Sequence, residues 1–124
     1  MATPGSPRTI LVCDDNPAHL RLLELVLGAH NYQVVTTSDG HEALTYLQSA
    51  TPDAIVLDVQ MPHMSGFDVA RRLRRLRRLE RVPVLFLTSL TDDATKCQAA
   101  EVRAHALMAK PVSGSGLLDH LARV

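Results

Sequence analysis

The stretch 54–58, with the sequence AIVLD, constrains the fold of this chain more than any other. Four apolar residues follow one another without a polar break, and the run stops at the carboxylate of Asp58. An apolar run of this kind is typical of a strand that is buried on both faces, as in a parallel sheet covered by helices. An unpaired charge inside such a strand would be costly, so Asp58 is expected where the chain leaves the core. Ligands of open α/β sheets gather at the carboxyl ends of the strands, which makes Asp58 a candidate functional residue.

The rest of the chain alternates between strand and helix patterns. Strands are predicted at residues 10–13, 32–37, 54–58, 84–87 and 104–109. Helices are predicted to follow them, beginning near residues 17, 41, 67, 92 and 113. The second strand has mixed polarity and is expected nearer a sheet edge. Five strand–helix units predict an α/β fold, a five-stranded doubly wound parallel sheet with helices on both of its faces.

Length and charge set the outer limits of this prediction. A chain of 124 residues suits one domain, and its formal net charge of zero favours no particular partner. No apolar stretch approaches the ~20 residues of a membrane span, and the start of the chain is not of the secretory type, so cytoplasm is the expected compartment. Residues 1–7 are rich in Pro, Gly and Ser and are expected to be a disordered lead-in to a domain over 8–124. The two cysteines and six histidines show no metal-ligand spacing, and no chemistry is assigned to them.

Polar residues end four of the five predicted strands, where they would share one rim of the sheet. They are Asp14, Asp15, Asp58, Thr88 and Lys110. Three neighbouring carboxylates raise each other's pKa unless a cation intervenes, and a hard divalent ion such as Mg²⁺ suits oxygen ligands. A cation, an ammonium group and a hydroxyl around a carboxylate are what a transferring phosphoryl group needs. The carboxylate itself can act as the nucleophile and form an acyl phosphate.

These residues and their surroundings resemble the receiver domain of bacterial two-component response regulators. The resemblance rests on the segments 10–16, 57–68, 86–89 and 109–111, with additional support from 38–44, and it spans about residues 8–124. It implies a flavodoxin-like sheet with strand order 2-1-3-4-5. It also implies a phosphorylation-controlled signalling switch that is not an enzyme toward other molecules and catalyses only its own phosphorylation and dephosphorylation.

The resemblance implies a role for each site residue. Asp58 would be the phospho-acceptor, Lys110 would contact the phosphoryl oxygens, and Thr88 would be the switch hydroxyl. Mg²⁺ would be held by Asp14 (mainly through water), Asp15, Asp58 and the backbone carbonyl of Gln60. The Lys110–Pro111 peptide bond would be cis, which a proline permits at modest cost.

The partners implied are a histidine kinase or a phosphotransfer protein as phosphodonor, and an output partner or domain that the sequence does not identify. No membrane contact is expected. After Lys110 only one helix is predicted, which leaves no room in this sequence for an output domain. A stand-alone regulator and a domain of a longer protein both fit.

Leu107 departs from the pattern of receiver domains, the family that this sequence resembles, which usually have Tyr or Phe three residues before the lysine. A leucine can be buried there but has no ring to change rotamer with Thr88. The alternative function is therefore an interaction module of receiver type that works independently of phosphorylation. Gln60 and Leu90 occupy positions that tune phosphate lifetime in the family, with no rate deducible from them.

Two other classes of protein fit less well. A phosphatase of the haloacid-dehalogenase type needs a second Asp two residues after its nucleophile, and Gln60 occupies that place. A nucleotide-binding domain needs a glycine-rich turn after its first strand, whereas residues 14–17 are acidic and contain no glycine.

Seven arginines crowd the third predicted helix, which is expected to run over about 67–79. They are Arg71, Arg72, Arg74, Arg75, Arg77, Arg78 and Arg81. Val69, Leu73, Leu76 and Leu79 recur at helical spacing and are expected to face inward, which leaves a solvated basic face. The alternative is a docking face for an acidic partner or for a phosphate backbone. Because no aromatic residues interleave, base stacking is not expected, and nucleic acid is not an expected partner.

Overall fold

A computed structural model describes residues 7–124, so the lead-in predicted for residues 1–7 lies, apart from Pro7, outside the described residues. Five strands alternate with five helices along the chain. In order they are β1 Thr9–Cys13, α1 Pro17–Gly28, β2 Gln33–Thr37, α2 Gly40–Leu47, β3 Ala54–Asp58, α3 Gly66–Leu73, β4 Val84–Thr88, α4 Asp93–Glu101, β5 Ala106–Ala109 and α5 Gly114–Ala122. Within these residues, no helix combines the length and the apolar character needed to span a membrane.

The strands form one parallel sheet in the order β2-β1-β3-β4-β5, which confirms the predicted fold class and strand order. β2 lies at an edge, as its mixed polarity indicated. The register pairs Cys13 with Leu57, Asp58 with Leu87, and Thr88 with Ala109. The carboxyl ends of β1, β3, β4 and β5 therefore meet at one rim of the sheet.

Two apolar layers cover the faces of the sheet, and the alternation of side chains along β3 divides between them. Ile55 and Leu57 pack with residues of α2, α3 and α4, while Ala54 and Val56 pack with residues of α1 and α5. All five residues of β3 are buried, as the uninterrupted apolar run predicted. Each fully buried aliphatic side chain of this size stabilises the fold by roughly 1.5–3 kcal/mol, so β3 is fixed from both sides.

Capping residues lie at both ends of α1. The side chain of Asn16 accepts hydrogen bonds from the backbone N–H groups of Ala18 and His19, and Pro17 occupies the first helical position. After the helix, Asn31 adopts a left-handed conformation with φ of 68°. These caps direct α1 away from the carboxyl end of β1, next to the two aspartates.

The prediction that α3 runs to about residue 79 is wrong. The helix ends at Leu73, the chain turns, and a single 3₁₀ turn follows at Arg77–Leu79. Leu76 is extended and 39% exposed, so the expectation that it faces inward is also wrong. The guanidinium of Arg74 donates to the carbonyls of Leu79 and Val82, which holds the chain in its return toward β4.

The arginine run is only partly a solvated face. Besides its bonds to the returning chain, Arg74 donates to the carbonyls of Val102 and Arg103 after α4. Arg78 donates to the carbonyls of Leu47 and Ala50 after α2. These two arginines donate to backbone carbonyls at the ends of helices. The prediction of a solvated basic face did not include this role.

Candidate functional site

Three carboxylates converge at the rim where β1 and β3 end. Asp14 and Asp58 are buried, Asp15 is exposed, and each offers an oxygen within 4.8 Å of the others. β1 and β3 are adjacent parallel strands, so the convergence follows directly from the register. Oxygen donors in this arrangement are the ligands that a hard divalent cation prefers.

Lys110 brings the positive charge of the site from the end of β5. Its Nζ lies 3.0 Å from Oδ2 of Asp58 and 3.8 Å from Oδ2 of Asp14. The Lys110–Pro111 peptide bond is cis, as the resemblance implied. The backbone N–H of Lys110 donates to the carbonyl of Thr88 at 2.8 Å, which ties the lysine to the end of β4.

The electrostatics of Asp58 reflect opposing influences. Burial, and secondarily the negative charge of Asp14, raise the pKa of this carboxyl above its ordinary value. The hydrogen bond from Lys110 and the backbone N–H of Gln60 act in the opposite direction, and burial prevails. The site therefore favours additional positive charge near Asp58.

Gly66 permits the loop after β3 to fold back against Asp58. A Cβ at this position would lie 2.4 Å from the carbonyl oxygen of Asp58, so any side chain would force the backbone apart. The N–H of Gly66 donates to the carbonyl of Val59 at 2.9 Å. α3 then begins at once, capped by Ser65 and Asp68 in a reciprocal capping box.

Thr88 ends β4, and Gln60 lies in the loop after β3. Thr88 is buried, and its hydroxyl accepts the N–H of Leu90 at 2.9 Å. Within residues 7–124 no hydrogen bond joins Thr88 to Asp58, although they end neighbouring strands. The side-chain oxygen of Gln60 accepts the hydroxyl of Ser89 at 2.8 Å and so links the loop after β3 to the loop after β4.

His19 is a site residue that the sequence analysis missed. It lies in the first turn of α1, and its Nδ1 contacts Oδ2 of Asp14, while Oδ1 of Asp14 accepts the N–H of Asn16 at 2.9 Å. Both oxygens of Asp14 are thus held by the start of α1. The Asn16 cap indicates that the first turn of α1 begins beside the two aspartates, but it does not identify His19 as the residue that faces them.

Leu107 occupies the position on β5 where the family that this sequence resembles usually has an aromatic residue. It is half-buried, pairs with Phe86 of β4 in the register, and packs against the apolar layer formed by α2, α3 and α4. Phe86 in turn contacts Phe67 edge to face, with ring centroids 4.7 Å apart. The leucine is therefore part of the core beside the site.

Known proteins share this sequence pattern. The family model for the response regulator receiver domain matches residues 10–122. Protein RcaC of Microchaete diplosiphon is 39% identical over 120 residues, covering 97% of this chain and 18% of that protein. The transcriptional regulatory protein KdpE of Mycobacterium tuberculosis is 39% identical over 115 residues, covering 93% and 48% respectively. The chain therefore spans less than half the length of these curated relatives.

Solved structures share the fold at high similarity. The chemotaxis protein CheY4 of Vibrio cholerae superimposes with a TM-score of 0.91 at 33% identity, covering 95% of this chain and 98% of that one. The receiver domain of a histidine kinase from Syntrophus aciditrophicus gives a TM-score of 0.86 at 32% identity, covering 94% and 88%. None of these comparisons supports the alternative of a phosphorylation-independent module. The chain belongs to the family of response regulator receiver domains, the signalling modules of two-component systems.

Proposed function

We propose that this domain is a Mg²⁺-dependent switch in which Asp58 accepts a phosphoryl group from a histidine kinase or a phosphotransfer protein. The observation that supports it most is the ammonium of Lys110, 3.0 Å from the Asp58 carboxylate, at a rim where two further carboxylates converge. Phosphorylation would change the surface that the domain presents to its partners. This role also calls for a cytoplasmic location and for no activity on molecules other than the domain itself.

The donor set fits Mg²⁺. Asp15, Asp58 and the backbone carbonyl of Gln60 would hold the ion directly, and Asp14 would hold it mainly through water. Both oxygens of Asp14 already accept hydrogen bonds within the protein, which favours this indirect role. Mg²⁺, when bound, would supply positive charge to the phosphoryl oxygens.

The proposed transfer uses the carboxylate of Asp58 as the nucleophile. One of its oxygens forms a bond to phosphorus as the phosphorus–nitrogen bond of the donor phosphohistidine breaks. The electron pair leaves with the imidazole nitrogen, and Asp58 becomes an acyl phosphate. The ammonium of Lys110 favours the ionised form of the buried carboxylate before transfer and would neutralise phosphoryl charge after it.

The switch that follows would begin at Thr88. Its hydroxyl accepts the N–H of Leu90 in this structure, and it would turn toward the new phosphoryl oxygens. Releasing Leu90 would loosen the loop that leads into α4. The aliphatic Leu107 would then respond by repacking beside Phe86, since it has no ring to move between core and solvent.

The matched relatives contain further sequence outside the region that this chain matches. RcaC and KdpE extend well beyond the matched region, and KdpE is described as a transcriptional regulatory protein. We propose only that the site serves the same phosphoryl chemistry.

Beryllofluoride, a mimic of the phosphoryl group, tests this proposal without depending on phosphate lifetime. The related DrrB receiver domain, 27% identical with a TM-score of 0.84, is described as activated by BeF₃. With Mg²⁺ present, ¹⁹F NMR should show one protein-bound beryllofluoride species for the wild type and none for Asp58→Asn. Asp119→Asn, which alters an exposed carboxylate of α5, should bind like the wild type. Equal binding by Asp58→Asn would overturn the assignment.

A further inference from the structure

A groove runs along α3 and the residues that follow it and reaches α2, which packs against α3. It comprises two surface cavities that share Arg72, and residues of α2 line the second of them. One, of about 400 Å³, is lined by His63, Arg71, Arg72 and Arg75 among others. The other, of about 350 Å³, contains the apolar side chains of Leu44 and Leu76. We call these six residues the α2–α3 groove.

The cationic half of the groove contains arginines whose charge no ion pair within residues 7–124 neutralises. Arg71 pairs with Asp68 at 3.1 Å and also donates to Gln98 of α4. Arg72 and Arg75 are exposed, and within residues 7–124 neither forms an ion pair. Arg74 and Arg78, by contrast, are bonded to backbone carbonyls. Arg72 and Arg75 are therefore available to bind a partner, because their side chains do not hold other parts of the fold together.

The apolar half of the groove is formed by two leucines. Leu76 is 39% exposed because α3 ends at Leu73 and the chain turns outward. Leu44 of α2 is half-buried beside it and lines the same cavity. An exposed leucine next to unpaired arginines is a combination that a binding partner can cover.

We propose that the α2–α3 groove binds an amphipathic acidic helix of a partner protein. The apolar face of that helix would cover Leu44 and Leu76, and its carboxylates would pair with Arg72 and Arg75. Arginine favours this task because its planar guanidinium forms bidentate bonds to carboxylates. The groove lies on α2 and α3, away from Lys110 at the end of β5, so the inference does not depend on the phosphorylation of Asp58.

A protein helix fits this groove better than a nucleic acid backbone. The neighbouring leucines offer nothing to a hydrated backbone, whereas a helix laid into a groove uses apolar anchors and flanking charges together. Aromatic residues suited to base stacking do not line either cavity.

A synthetic peptide of about 18 residues tests the proposal, with leucines at helical spacing and glutamates on either side of them. Fluorescence anisotropy at low salt should show saturable binding to the wild type. Arg72→Glu and Arg75→Glu should each weaken it by about tenfold or more. Arg123→Glu, the same charge change at the end of α5, should alter it less than twofold. Leu76→Ser should also weaken binding, as should replacing the peptide's glutamates by glutamine.

Further measurements separate the proposal from its rivals. Amide shifts of the ¹⁵N-labelled domain should change in α2, in α3 and in the segment 74–76 on titration with the peptide. The Arg72→Glu variant should retain its circular dichroism spectrum and its binding of beryllofluoride, which excludes misfolding and keeps this test apart from that of the phospho-acceptor. Failure of the peptide to bind, shifts mapped to other elements, or binding that ignores both arginine changes would overturn the proposal. So would tighter binding of a DNA duplex that is lost in the same two variants.

Discussion

Asp58 is only 2% exposed, yet its carboxylate lies close to that of Asp14 and 3.0 Å from the ammonium of Lys110. Its raised pKa shows that burial and repulsion outweigh the single ammonium. A group of this kind weakens the fold when it is ionised. This destabilisation occurs at a position where a cation is expected to bind. Ionisable groups with perturbed pKa values are typical of functional sites.

The first prediction concerns Asp58→Asn in the absence of divalent ions. Because the pKa of Asp58 is raised on folding, its favourable contribution to stability is complete below the unfolded pKa and is lost as the pH rises through the folded pKa. At pH 7 the asparagine variant should therefore melt higher than the wild type, by about 3 °C.

The same comparison at lower pH provides the control. The difference between the two melting temperatures should shrink as the wild-type carboxyl becomes protonated. An asparagine variant that is less stable than the wild type at pH 7 would show that the ion pair with Lys110 outweighs burial and repulsion, contrary to this description of the site.

Sequence reasoning found the site residues on strands but not the one on a helix. Asp14, Asp15, Asp58 and Lys110 could be predicted to meet, because the carboxyl ends of parallel strands share one rim. His19 lies five positions after Asp14, and its contact depends on the angle at which α1 leaves β1. That angle is set by tertiary packing of α1, which the spacing of polar residues does not report.

Among the elements, α3 shows how tertiary bonds override a local pattern. Leu73, Leu76 and Leu79 recur at helical spacing, and the pattern favours a helix through all three. The guanidinium of Arg74 accounts for the early end of α3. It donates to carbonyls of the chain that returns toward β4 and of the segment after α4. Periodicity alone carries no information about a side chain that bonds to backbone in two distant loops.

The second prediction follows from this role of Arg74. Arg74→Met keeps the aliphatic stem but removes every donor, so the half-buried carbonyls of Leu79, Val82 and Val102 lose a partner. Unfolding in urea should show a loss of about 2–4 kcal/mol. Arg75→Met is a matched change at an exposed arginine whose side chain forms no hydrogen bond or ion pair within residues 7–124, and it should stay within about 0.5 kcal/mol of the wild type. Similar losses in both variants would contradict the role assigned to Arg74.

For the whole molecule, the parallel sheet and the covering of both its faces were predictable from the pattern of the sequence, whereas the order of the strands was implied by the resemblance to receiver domains. Buried runs that end in polar residues, separated by amphipathic stretches, leave few arrangements open to a chain of this length. The register of the parallel strands then brings the ends of β1, β3, β4 and β5 together without further specification. The α2–α3 groove, in contrast, could not be foreseen, because it exists only where α3 stops early and exposes Leu76.

Intact mass spectrometry after incubation with Mg²⁺ and acetyl phosphate tests the central claim most directly. The wild type should gain the mass of one phosphoryl group, and hydroxylamine, which cleaves acyl phosphates, should remove it. Asp58→Asn should gain none, while Asp119→Asn should match the wild type. A phosphoryl adduct that persists in Asp58→Asn, or a wild type that binds beryllofluoride through another residue and never gains the adduct, would contradict the assignment of Asp58 as the phospho-acceptor.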